Sequence, residues 1–178
     1  MRYLIALLLV SSLSTSLSAQ TLTADDVKTQ MIADWTRAKD YTDKYLAAMP
    51  ADKYSFKAVD SIRSFAQQML HLASGTYFLT SMAAGKKAPA FLAGIETRPT
   101  AQTMDSVVAT VNASYDYALD VVRNTDPATL GAKIGPANRQ ASKYAILLKA
   151  FEHQTHHRGQ TTIYIRLLGI RPPGEQLF

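Results

Sequence analysis

Phe151-Glu152-His153-Gln154-Thr155-His156-His157-Arg158-Gly159-Gln160 carries three of the chain's four histidines, and it lies inside the longest helical pattern of the sequence. That pattern predicts a helix from near Ala137 to about Leu168. Gly169 serves as its left-handed terminator, and Pro172-Pro173 prevents a restart. On such a helix His153 and His157 are one turn apart on the same face, with Cβ atoms about 5 to 6 Å from each other. Two imidazoles so placed can converge on one ion. His156 is turned about one hundred degrees from His157, which assigns it to the surface or to a supporting role.

Working outward, three further helical patterns precede this one. Thr23 followed by Asp25 and Asp26 predicts a capped helix running to about Ala48, with Val27, Met31, Trp35, Ala38, Tyr41 and Tyr45 on one side. After a loop that places Tyr54 and Phe56 on the bundle end, a second helix is expected from about Asp60 to Gly85. Its apolar side is Ile62, Phe65, Met69, Leu72 and Phe78. Pro89, Gly94 and Pro99 make residues 86–100 a long crossover. A third helix, capped by Thr100 or Thr103, then carries Met104 to about Asn124. Four helices with no convincing strand and no internal repeat indicate an all-α bundle in a single domain.

The N-terminus reads differently. Met1-Arg2, the apolar run Tyr3 to Val10 and the small residues before Ala19 have the layout of a secretory signal peptide. The expected division is a signal peptide over 1–19 and a bundle domain over 20–178, exported to the periplasm or secreted. The apolar run falls short of the ~20 residues that span a bilayer, so no stable membrane insertion is expected after cleavage. Arg2 is the only charged residue in that leader, and the net charge of the 178-residue chain is a mild +5. The basic residues are scattered singly apart from Lys86-Lys87, leaving no stripe to follow a phosphate backbone, so nucleic acid is not an expected partner. The absence of cysteine excludes disulfides, thiolate ligands and a cysteine nucleophile. Any metal must be held by nitrogen or oxygen.

Two ligands hold an ion weakly, and the only other histidine is His71, in the middle of the second helix among apolar residues. An unsatisfied imidazole is costly there. Coordination would satisfy it, as would a hydrogen bond to a backbone carbonyl; for the His153/His157 pair the alternative is a solvated helix face. Gln67, Gln68, Glu152 and Gln160 lie within a turn of these histidines as candidate supporting groups. Gly159 costs roughly 1 kcal/mol relative to alanine within a helix, which close approach of a neighbouring helix would explain.

The run from His153 to Gln160, the following Tyr164-Ile165-Arg166 and the ending Leu168-Gly169-Ile170-Arg171-Pro172-Pro173 resemble the C-terminal signature of the DinB/YfiT-like family. Ser64 to Ala73 is similar to that family's second-helix motif. The resemblance implies an antiparallel four-helix bundle with an unusual crossover. It also implies one divalent transition metal (nickel, zinc, iron or manganese) bound by one histidine of helix two and a His-x-x-x-His pair of the last helix. Those positions match His71, His153 and His157.

Three imidazoles leave a coordination position open, as a catalytic or ligand-binding site requires. The expected activity is that of a metal-dependent hydrolase using an activated water on a small molecule. The alternatives are a non-enzymatic metal- or ligand-binding module and a thiol-dependent transferase, since some relatives look like such transferases. Dimerisation is common among proteins of this resemblance, so a homodimer is a further expectation.

Overall fold

The computed structural model describes residues 21–138 and 140–178. The expected leader and its cleavage site lie outside them. Four long helices dominate: α1 (Ala24–Ala48), α2 (Phe65–Ala83), α3 (Met104–Asn124) and α4 (Lys143–Leu167). A two-residue hairpin, β1 (Lys133–Ile134) with β2 (Ala141–Ser142), sits before α4.

Each helix starts where a side chain can satisfy its free amides. Thr23 and Asp26 form a reciprocal capping box on α1 (3.1 and 3.0 Å), and Ser64 and Gln67 form another on α2 (3.2 and 2.9 Å). That second box corrects the expected start at Asp60. Ile62, counted in the apolar stripe, lies in the turn before the cap and is about a third exposed. Thr103 caps α3 and Ser142 caps α4. The predicted start of α4 at Ala137 is also corrected, because Gly135, at φ 109°, and Pro136 reverse the chain into the hairpin that the sequence reading omitted. At the other ends, Gly85 and Gly169 take positive φ. The following amides, Lys86 N and Ile170 N, reach back to Ser81 O and Ile165 O, closing both helices in the same six-to-one turn.

Contacts fix the direction of each helix. Gln68 meets Gln160 while Gly75 meets His153, so α2 and α4 are antiparallel. Trp35 packs on Phe151 and Tyr45 bonds Thr162, so α1 and α4 are parallel. Lys39 pairs with Asp116 and Asp43 bonds Asn112, so α1 and α3 are antiparallel. It follows that α2 and α3 point the same way. The bundle therefore runs up-down-down-up, and only two of its four neighbouring helix pairs are antiparallel. The connection from α2 to α3 must travel back along the bundle to begin α3 at the correct end. On its way, one helical turn of it (Ile95–Thr97) packs against α2.

The core is built from Trp35, Phe65, Met69, Leu72, Tyr115, Leu147 and Ile165, all essentially excluded from solvent. Tyr54, from the loop after α1, stacks edge-on against Phe65 and donates to Leu46 O (2.9 Å), as expected of a residue closing the bundle end. Among the described residues no helix is long and apolar enough to cross a membrane.

Candidate metal centre

α2 and α4 cross at their midpoints, and there the three histidines meet. His71, His153 and His157 each present a ring nitrogen, and the three nitrogens lie within 4.8 Å of one another. Ring centroids are 5.2 Å apart for His71 and His153, and 4.4 Å for each of the other two pairs. Helical spacing sets the His153/His157 distance. The approach of His71 depends on how closely α2 and α4 can pack.

Gly75 permits that approach. It sits one turn after His71, and the His153 ring lies against its bare backbone: a Cβ at this position would stand 2.0 Å from His153 Cε1. The anticipated role for Gly159, by contrast, is not met, since nothing lies within 4 Å of where its Cβ would be.

Burial, and then the neighbouring imidazoles, push the pKa of His153 down to about 4 and that of His157 down to about 3. Both rings are neutral at pH 7, the form in which histidine binds metal. Nδ1 of His153 is buried and has no hydrogen-bond partner among the described residues. An orphaned buried nitrogen inside a cluster of neutral imidazoles is costly without a ligand. The donor set therefore fits a divalent transition ion.

The other two rings are held from behind. His71 Nδ1 is 2.6 Å from Glu96 Oε1, and Arg63 Nε donates to Glu96 Oε2 at 2.7 Å. Burial raises the Glu96 carboxyl, but the bonds from His71 and Arg63 outweigh it and hold the group below its usual range. An ionised carboxylate only accepts, so the His71 proton sits on Nδ1 and its Nε2 lone pair is left free. Gln68, 2 % exposed, places its amide 2.9 Å from His157 Nδ1 and also contacts Gln160, which in turn reaches His156 Nε2 at 2.7 Å. The Gln68 amide nitrogen is the atom that faces both groups, so it ties the His157 ring to Gln160 and fixes the plane of that ring from the α2 side.

Of the supporting groups expected from sequence, Gln68 and Gln160 are in place. Gln67 is spent on the α2 capping box, and Glu152 is exposed and touches none of the three rings. His156 lies at the surface and supports Gln160. Glu96, Arg63 and Gly75 were not anticipated. Glu96 lies in the aperiodic crossover and Arg63 just ahead of the α2 cap, where no spacing signals proximity to His71. A glycine inside an apolar helix four residues after a histidine was the one available clue.

Two cavities flank the cluster and share Glu96. One, of about 680 Å³, is lined by His71, His153 and Gly75 together with Phe78, Leu79, Pro89 and Leu92. The other, of about 820 Å³, is bounded by Arg63, Gln68, Glu96, Gln160 and Tyr164, with Lys57 at its edge.

The sequence model of the DinB family matches residues 19–177. The fold is similar to that of a DinB-like protein from Bacillus cereus, with a TM-score of 0.70 and 16 % identity over 83 % of this chain and 97 % of that one. It is also similar to a DinB-like protein from Bacillus subtilis, with a TM-score of 0.62 and 18 % identity over 84 % and 96 % of the two chains. No functionally curated protein matches.

Proposed function

The chain belongs to the DinB family, and from that premise we propose that it is an exported metalloprotein that hydrolyses a small molecule at a centre formed by His71, His153 and His157. The observation that carries this reading is the convergence of three imidazoles, two of them held neutral, at the edge of a cavity of about 680 Å³. That volume lies within the ordinary range for small-molecule pockets.

When bound, a divalent ion supplies Lewis acidity for activating water. The chain's own residues do the rest. Glu96 keeps the His71 proton on Nδ1 and, with its second oxygen anchored by Arg63, fixes the ring plane. Gln68 orients His157, and the Gly75 backbone seats His153. Phe78, Leu79, Pro89 and Leu92 form an apolar wall on one side of the centre, which favours a substrate with an apolar body. Arg63, Lys57 and Gln160, in the adjoining cavity, offer donors to a polar or anionic end.

The test is elemental analysis of the purified protein, followed by a screen of small esters, amides and lactones. About one equivalent of nickel, zinc, iron or manganese is expected, as for a single three-histidine site. Full metal retention by His153→Ala rejects the site, and a metal-loaded protein that turns over none of these substrates rejects the hydrolase reading. Export predicts a mature N-terminus at Gln20 in an envelope or medium fraction; intact Met1 in the cytosol refutes it.

A further inference from the structure

Arg158 follows His157 in sequence but belongs to the opposite side of α4. It is 6 % exposed, a depth at which a charged side chain is normally paired. No carboxylate among the described residues lies within ion-pair distance of it. All of its hydrogen bonds come from Nη1, to Ala38 O (3.4 Å), Thr42 Oγ1 (3.3 Å) and Gln154 Oε1 (3.0 Å), while the guanidinium lies 4.5 Å over the Tyr41 ring. Nε and Nη2 have no hydrogen-bond acceptor at good distance and angle among the described residues. They form the edge of the guanidinium that matches a carboxylate through two parallel bonds.

Arg158 lines a cavity of about 300 Å³ enclosed by α1, α4 and the C-terminal segment, together with Tyr41, Tyr45, Phe151 and Thr155. Arg37 also borders it but is spent: it donates to Asp34 Oδ1 (2.8 Å) and to Gln176 O (2.6 Å), which ties the C-terminal segment over the cavity. Gly159 lines the same space. A helix-interior glycine is unfavourable, and here it has no packing reason, because nothing lies within 4 Å of where its Cβ would stand at the rim of the cavity. A buried arginine with an unspent edge and a glycine that keeps the space before it open are two independent features of one site.

We propose that this cavity is a second binding site, separate from the histidine cluster, for the carboxylate of a small organic acid seated on the Nε/Nη2 edge of Arg158. Charge selects a monoanion. Asp34 offsets Arg37, and Glu175, which lines the same cavity, offsets Arg158, so the site is close to neutral among the described residues and takes a single negative charge with less repulsion than a dianion such as sulfate. The volume admits a carboxylate with a short apolar substituent against Phe151.

The experiment titrates sodium acetate into the metal-free full chain at constant ionic strength, with chloride as the balancing ion, and follows the arginine Nε–H resonances by NMR. A saturable shift of the Arg158 resonance is expected. Gly159→Leu fills the opening without steric conflict at the backbone and should weaken acetate binding about tenfold or more, as loss of a charge-assisted bond does. Its fold is checked by the near-ultraviolet dichroism of buried Trp35. Glu175→Gln should tighten binding by removing the competing charge. Absence of saturation in the unmodified chain, equal affinity in Gly159→Leu, or tighter binding of sulfate than of acetate overturns the proposal.

Discussion

Two polar pairs are built into the same turns of α4, one residue out of register: His153 and His157 face α2, and Gln154 and Arg158 face α1. The spacing is identical and the physics is opposite. The histidines tolerate burial by giving up their charge, which leaves lone pairs pointing at one another and nothing in the chain to satisfy Nδ1 of His153. Arg158 cannot give up its charge, so its Nη1 is fed with acceptors. Gln154, itself fully buried, also receives the Tyr115 hydroxyl at 2.7 Å, and that hydroxyl contacts Thr42 at 2.7 Å. One face of the helix is complete only with a ligand, and the other is largely complete without one. Burial thus leaves the neutral histidines with free lone pairs that suit a cation, and leaves the arginine charged, with one nitrogen tied to the scaffold and one edge that suits an anion.

The comparison breaks most sharply at Gly75. Gly75→Ala should stabilise α2 by propensity, about 1 kcal/mol, yet drive the His153 ring out of the cluster. The expected outcome is loss of nearly all bound metal by elemental analysis, with thermal stability little changed. Retention of metal would show that the ring has another place to sit.

On the opposite face, Arg158→Met should do the reverse. It takes one donor each from Gln154 Oε1, Ala38 O and Thr42 Oγ1, which keep the Tyr115 and Thr42 hydroxyls as partners, while replacing the buried stem, at a cost of about 1.5 to 3 kcal/mol in urea unfolding, with metal stoichiometry preserved in the folded fraction. Simultaneous loss of metal would mean that the two faces are coupled.

A smaller effect is expected behind His71. Glu96→Gln keeps an acceptor for Nδ1 but removes the charge that Arg63 anchors, and should lower metal affinity about tenfold to a hundredfold in a chelator competition.

A last expectation concerns pH. In the metal-free chain His153 and His157 titrate at about 4 and about 3, below the ordinary value near 6.5. The unfolded chain therefore binds protons first. Their contribution to stability is complete above about pH 6.5 and is lost as pH falls toward 4, so the melting temperature should decline across that window. His153→Ala should flatten the slope, and an unchanged slope would place the acid sensitivity elsewhere.

Much of this was legible in the residues. Thr23 announced α1, Thr103 was one of two threonines that could start α3, Gly85 and Gly169 marked two helix ends, and i,i+4 spacing paired His153 with His157 while setting His156 aside. The errors have local causes. Ile62 satisfied the apolar period yet lies outside α2, because Ser64 and Gln67 cap the helix three residues later than the stripe begins. The start of α4 was hidden by the hairpin at Lys133–Ser142, too short to show an alternating pattern. Glu96 and Arg63 were invisible for a different reason. Their position depends on α2 and α3 running the same way, a fact of topology that leaves no period in the sequence.

The connection from α2 to α3 separates two tasks. The ligands sit on helices, whereas much of the apolar wall beside them, Ala88 to Ala93, comes from a stretch of which only Leu92 is partly buried against the core of the bundle. That wall can be rewritten residue by residue with little cost to folding and with the metal ligands left as they are. For an engineer, residues 88–93, short of buried Ile95 and of Glu96 behind His71, are the replaceable die in a fixed press: the place to change what the protein accepts while leaving how it holds its ion untouched.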